Sequence, residues 1–260
     1  MADSLLIRAP SYMSLAIAAL HGEQPISRAT SFVAVHEGEH YLVTNWHVVT
    51  GRSPYDGKPL SKEAAVPDAL AVLHVIAGHE LAWEWQTEPL YDNDGEPLWW
   101  EHPNHGRRVD VVALPLTQTA GVELHAYDAT NPGPSIVFGP SDGASIIGFP
   151  FGLTGGGALG IWVQGTVATE PQIEYDDLPC FLVDSMTRPG QSGSPVIVYR
   201  TNGYVTEGGN IGNNGIPGRR FVGIYSGRVN EKSDLGFVWK SSALIEILGA
   251  KKRGPIPRLD

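Results

Sequence analysis

Apolar residues in this chain come in short runs, and each run stops at a glycine, a proline or a polar turn. Ser31–Val35, His40–Thr44, Val109–Leu116, Ala144–Gly148, Trp162–Thr169, Phe181–Val183, Pro195–Tyr199 and Phe221–Tyr225 are examples, many of them rich in Val, Ile and aromatic residues. Side chains of that kind suit the pleated, half-buried surface of a strand. The 31 glycines and 20 prolines are many for a helical protein and supply the turns between such strands. An all-β architecture of many short strands is therefore expected. One clear helix is expected over Ser241–Leu248, with serine at its N-cap, an apolar stripe and Gly249 just past its end. Asp68–Ala77 reads as a short helix or, from the alternation of Ala69, Ala71, Leu73 and Val75, equally as a strand.

With 260 residues the chain has room for one large domain or two small ones. It can bury a sizeable core without covalent staples. A net charge of −10 argues against a nucleic-acid groove or an anionic membrane surface as the main partner. The basic run Lys251–Arg253 follows the expected helix and reads as its C-terminal cap. Cys180 is the single cysteine, so no disulfide forms within the chain, which fits a reducing compartment and a cytoplasmic location. It reads as a buried apolar residue rather than a reactive thiol. Met13–Leu20 is too short to span a membrane, and with Asp3 and Arg8 before it makes a poor signal peptide. Between Thr50 and Arg108 a polar, proline-punctuated stretch holds Trp83, Trp85, Trp99 and Trp100. It reads as a surface excursion that packs its own aromatics.

Three stretches carry chemistry. In Arg188-Pro-Gly-Gln-Ser-Gly-Ser-Pro-Val196 a serine stands between glycines where a loop turns into a strand. Gly190 lets the backbone turn so that its N–H and that of Ser192 point one way, as an oxyanion hole requires. Pro-Gly and Ser-Gly pairs also mark ordinary surface turns, so this stretch alone leaves both readings open. In Tyr41-Leu-Val-Thr-Asn-Trp-His-Val-Val49 a histidine follows a hydrophobic strand and could serve as general base, or could simply tuck under Trp46. In Val109-Asp-Val-Val-Ala-Leu-Pro-Leu116 an aspartate interrupts an apolar strand. Buried there it needs partners, and a histidine N–H is one; at a strand edge it would face water instead. His74, His79, His102 and His105 invite a metal, but no ligand spacing of a known kind appears, and no metal or other cofactor is expected.

These stretches resemble the trypsin-like (chymotrypsin-fold) serine peptidases, in particular the bacterial branch related to the HtrA/Deg proteases. "LVTNWHVV", "VDVVALPL" and "VDSMTRPGQSGSPV" resemble the histidine, aspartate and serine motifs in family order. "IIGFPFGL", "VQGTVATE", "FVGIYSGRV" and "LGFVWKSSALIEIL" resemble the surrounding strands and closing helix, so that the likeness runs over about residues 28–248. The resemblance implies two packed six-stranded β-barrels with a short C-terminal helix and the site in the cleft between the barrels. The barrels would lie at about 28–125, with an insertion at 51–108, and at 135–240, followed by a helix at 241–249. It implies a Ser-His-Asp triad of His47, Asp110 and Ser192, with Gly190 and Ser192 N–H groups as the oxyanion hole. Ser226, Gly227 and Arg228 would pair with the substrate backbone; Met186 would sit at the base of the primary side-chain pocket, with Gly236 and Phe237 on its wall.

Departures from the family pattern matter as well. No acidic residue stands at the pocket base, so a small or medium apolar side chain is the expected preference. Gln191 replaces the aspartate that binds a freshly cut N-terminus in many secreted members, and Ser194 stands where glycine is usual. The 63 residues from His47 to Asp110 exceed the usual spacing. No PDZ module follows the helix, so HtrA-style regulation is not carried over. The resemblance implies a serine endopeptidase acting on peptide or protein substrates. The alternative is a latent or inactive peptide-binding module of the same fold, switched on by a protein partner.

Overall fold

A computed structural model describes residues 7–79, 81–212, 215–230 and 232–256. The expected all-β fold is there. Helix α1 (Ala9–Met13) leads into β1 (Ser14–His21), β2 (Gln24–His36) and β3 (Glu39–Thr44), followed by α2 (Trp46–Thr50), β4 (Ala69–Ile76), β5 (Trp83–Pro89) and β6 (Val112–Pro115). The short β7 (Val122–Glu123) and β8 (Ala126–Asp128) complete the first sheet, whose order is β5-β4-β1-β2-β3-β6 with β7 on β4 and β8 on β2. The second half holds β9 (Gly143–Gly148), β10 (Ile161–Val167), β11 (Cys180–Asp184), β12 (Pro195–Arg200), the two-stranded ribbon β13 (Tyr204–Val205) and β14 (Ile211–Gly212), β15 (Gly218–Arg228) and β16 (Leu235–Lys240). Six of these close a barrel in the order β10-β11-β16-β15-β12-β9. Helix α3 (Ser241–Ala250) follows.

The first sheet curls without a backbone ladder between its outer strands. Instead the buried Glu88 of β5 accepts hydrogen bonds from Thr117 N (3.0 Å), Thr117 Oγ1 (2.6 Å) and Gln118 N (2.7 Å), just past β6. A buried carboxylate is tolerable only with such a donor set, and this one joins the two edges.

Residues 51–108, expected as a surface excursion, supply β4 and β5, two full strands of the first sheet. Alternation settled Asp68–Ala77 as strand: Leu70, Val72 and His74 turn inward. Nor do the tryptophans cluster together. Trp99 is fully buried in the core of the first sheet, Trp85 is exposed, and Trp100 lies on Tyr41 at 5.0 Å between ring centres. At the C-terminal helix the cap is Lys251, in the left-handed region at φ 50°, rather than Gly249, and Ser241 is already helical. Cys180 is buried on β11, and burial pushes its thiol up to about 12.

The apolar contacts fall into an inner core for each half and a third cluster between them. That third cluster joins Phe32, Tyr41 and Tyr127 to Ile147, Phe221 and Trp239, and Leu244, Ile247 and Leu248 of α3 seal it. Phe32 and Phe221 meet at 5.4 Å. Polar ties cross the same junction. Thr30 of β2 donates its N–H to Ser192 O (2.9 Å) and its hydroxyl to Gly190 O (2.8 Å), and that hydroxyl accepts Phe149 N–H (3.1 Å). The backbone of the 188–194 loop is thereby pinned to the first sheet.

Replacing Thr30 with Val keeps the shape but leaves Gly190 C=O and Phe149 N–H unpaired in the interior. Denaturant unfolding should register a loss of about 1–3 kcal/mol. His74 gives a pH signature. Its ring is fully buried with neither nitrogen partnered, and burial lowers its pKa from 6.5 to about 4. The unfolded chain therefore binds the extra proton first, so stability is full above about pH 6.5 and falls as pH drops towards 4. The loss is on the order of 3 kcal/mol. Urea titrations at pH 7 and pH 4.5 should show a smaller acid-induced loss for His74→Leu than for the wild type.

Candidate active site

His47 lies in the first turn of α2, which begins immediately after β3 and Asn45. Asp110 precedes β6, the strand that pairs with β3 through Thr44 and Val112. Pairing of these two strands brings residues 63 apart in sequence into contact. The Asp110 carboxylate accepts from His47 twice: Oδ2 meets Nδ1 at 2.7 Å and Oδ1 takes the backbone N–H at 3.0 Å. Asn45 Nδ2 donates to the Asp110 carbonyl at 2.6 Å, fixing the backbone beneath the carboxylate. The Asp110 side chain is 5% exposed and that of His47 19%, so the aspartate is shielded while the imidazole keeps a face open. Such an arrangement holds the tautomer with hydrogen on Nδ1 and leaves Nε2 free to accept a proton.

Trp46 anchors the helix from the other side. Its indole N–H donates to Glu101 Oε1 at 2.7 Å, and Trp99 donates to the same oxygen at 3.4 Å. Burial raises the Glu101 pKa, opposed by the two indole donors. Instead of covering His47, Trp46 faces into the core of the first sheet.

Ser192 arrives from the second half on the loop before β12. Gly190 (φ 96°) and Gly193 (φ 83°) on either side are both in the region that only glycine enters freely. A Cβ on Gly193 would lie 2.1 Å from Thr30 O, and one on Gly190 2.4 Å from Phe149 O, so neither glycine can be replaced without moving backbone. Gln191 is buried and its Oε1 accepts Arg188 N–H at 2.8 Å, locking the loop with a neutral group. Ser194 is buried too, against Gly148. Among the described residues the N–H groups of Gly190 and Ser192 donate to no protein acceptor. They are free for a ligand oxygen.

His47, Gly190 and Ser192 line one cavity of about 330 Å³, together with Arg28, Ala29 and Pro67. Ser192 Oγ donates to Ser226 O at 3.0 Å, and no hydrogen bond joins Ser192 to His47 here. Ser226, Gly227 and Arg228 end β15, where pairing with β16 continues to Arg228 opposite Gly236. The ladder with β12 ends at Ile224, so Ser226 and Gly227 have no strand on that side. Phe237 packs beside Trp239. Met186 is 68% exposed and so is not enclosed at the base of a pocket; the enclosed neighbour is Thr187. His102 and His105 lie with their rings 5.0 Å apart and tilted by 41°, and among the described residues no group of three or more His, Cys, Asp or Glu could hold a metal.

Thr30, Thr187 and Tyr225 had no signal in the sequence, where each reads as an ordinary strand or loop residue. Asn45 lies inside the histidine motif, two residues before His47.

No protein-family model matches the sequence, and no curated protein matches it either. Solved structures do. A serine endoprotease from Yersinia pestis superposes with a TM-score of 0.52 at 14% identity, over 92% of this chain. The chain spans 62% of that protein's length. Deg5 superposes with a TM-score of 0.50 at 16% identity, over 90% of this chain and 86% of that one. At these identities the likeness is one of architecture: the chain has the trypsin-like serine protease fold.

Proposed function

We propose that the protein is a serine endopeptidase that hydrolyses peptide bonds in peptides or proteins through an acyl-enzyme. The observation that carries this reading is the 2.7 Å bond from His47 Nδ1 to the shielded Asp110, in a cleft that also holds Ser192 and two free amides. Ser192 Oγ attacks the scissile carbonyl carbon while His47 Nε2 takes its proton. Asp110 holds the imidazole and stabilises its cation. The developing oxyanion is received by the Gly190 and Ser192 N–H groups. When the C–N bond breaks, His47 returns the proton to the leaving amine. Water then attacks the ester with His47 again as base, releasing the acid and restoring Ser192. An extended substrate would add as a strand to Ser226 and Gly227.

In the resting state the Ser192 hydroxyl is held by Ser226 O, and the reaction requires it to leave that acceptor for His47. That bond also favours a second reading, in which the cleft is latent until a protein partner engages it. The two readings differ in what the purified chain does alone.

A fluorescent fluorophosphonate distinguishes them. In the first reading it labels the wild type, whereas Ser192→Ala abolishes labelling and His47→Ala slows it at least about 100-fold. A folded wild type that labels only after a partner is added supports latency; a chain that never labels sinks the peptidase reading. Thr30→Val should also label more slowly than the wild type, because the loop bearing Ser192 loses its tie to the sheet bearing His47.

A further inference from the structure

The recess beside the nucleophile is filled from within the protein. In the reaction above, the substrate carbonyl sits at Ser192 and its backbone runs along Ser226 and Gly227. By the resemblance to the trypsin-like peptidases, the side chain before the scissile bond would then point between residues 186–190 and the end of β15, towards Gly236. These segments run side by side, as the pairs Asp184–Leu235 and Arg228–Gly236 and the bond from Ser185 N–H to Asp234 O (3.0 Å) show.

Tyr225 lies across that space. It is 2% exposed, and a Cβ placed on Gly236 would be 2.5 Å from its Cε2, 2.8 Å from its Oη and 3.0 Å from its Cζ. Its hydroxyl is hydrogen-bonded to the buried Thr187 Oγ1 on the opposite wall. The ring thus spans the recess from β15 to the loop before Ser192. It cannot swing away cheaply, because the ring is buried and its hydroxyl is tied to Thr187, and the backbone that carries it is fixed as well: Tyr225 N–H donates to Ser194 O and Tyr225 O accepts Gly193 N–H, both at 2.9 Å. Met186 is turned out to solvent instead of lining a floor. At the mouth a Cβ on Gly227 would meet nothing within 4 Å, so the entrance stays open above a raised floor.

We infer that Tyr225 sets the specificity of the site by filling the primary side-chain recess, so that only Gly, Ala or Ser is accepted before the scissile bond. This rests on the peptidase reading. A large side chain would have to displace a buried, hydrogen-bonded ring, and well-packed interiors do not yield to added volume without strain.

Peptidyl diphenyl phosphonates differing only in the residue that carries the phosphorus, Ala against Phe, test it by intact-mass labelling rates. An alkyl fluorophosphonate without that side chain normalises each variant. The wild type should react with the Ala probe at least about 100-fold faster than with the Phe probe. Tyr225→Val should shift the ratio towards Phe, while Tyr225→Phe, which keeps the ring, should retain the Ala preference. A wild type labelled as fast by the Phe probe as by the Ala probe overturns the inference, whether or not Tyr225→Val folds. So does an unchanged ratio in folded Tyr225→Val. Failure of the fluorophosphonate itself to label in a Ser192-dependent way brings down the peptidase reading, and the inference with it.

Discussion

Everything at the site depends on one threonine at the seam between the two halves. The histidine and aspartate belong to the first sheet and the serine to the barrel, so no local rule of chain geometry brings them together. Thr30 does so by making three hydrogen bonds with two polar groups: its N–H on Ser192 O, and its hydroxyl between Gly190 O and Phe149 N–H. Each bond alone is modest, about 1 kcal/mol. Their value is positional, because they bind the backbone of the loop that presents Ser192. The apolar cluster around Phe32, Tyr127 and Phe221 supplies the adhesion, and Thr30 sets the register.

The first sheet is organised around a single strand pair. β3 and β6 lie side by side, and the residues just beyond Thr44 and just before Val112 are the ones that meet as His47 and Asp110. Asn45 and Glu101 brace this pair from below and behind, the first through the Asp110 carbonyl and the second through the Trp46 indole. Neither touches the open face of the imidazole. Their contribution is to hold a short helix of five residues that has no side-chain cap of its own.

Much of this was legible in the sequence because the motif residues announce themselves locally. A serine between glycines and an aspartate inside Val109–Leu116 are conspicuous against their neighbours, and strand-length apolar runs gave nearly every strand of the barrel. What escaped was non-local. Thr30 and Gly190 are 160 residues apart, and Thr187 and Tyr225 are 38 apart. A threonine or tyrosine in a β run looks the same whether it faces solvent, core or the Ser192 loop. Residues 51–108 misled for a different reason. Their prolines and polar turns are real, but they frame β4 and β5 rather than replace them, and Trp85 is exposed while Trp99 is buried.

The carboxylate of Glu88 leaves the first sheet with an unusual weak line. No strand ladder joins β5 to β6; the Glu88 side chain does the fastening together with one backbone pair, Trp100 N–H on Ala113 O at 2.8 Å and Ala113 N–H on Trp100 O at 3.2 Å. Local opening follows the path of fewest bonds, so amide protons flanking this line belong to the least protected class of the sheet. β6 would still be zipped to β3 when the line parts, and β5 to β4. An opening confined to this line would leave the imidazole and its carboxylate together on the β3–β6 pair.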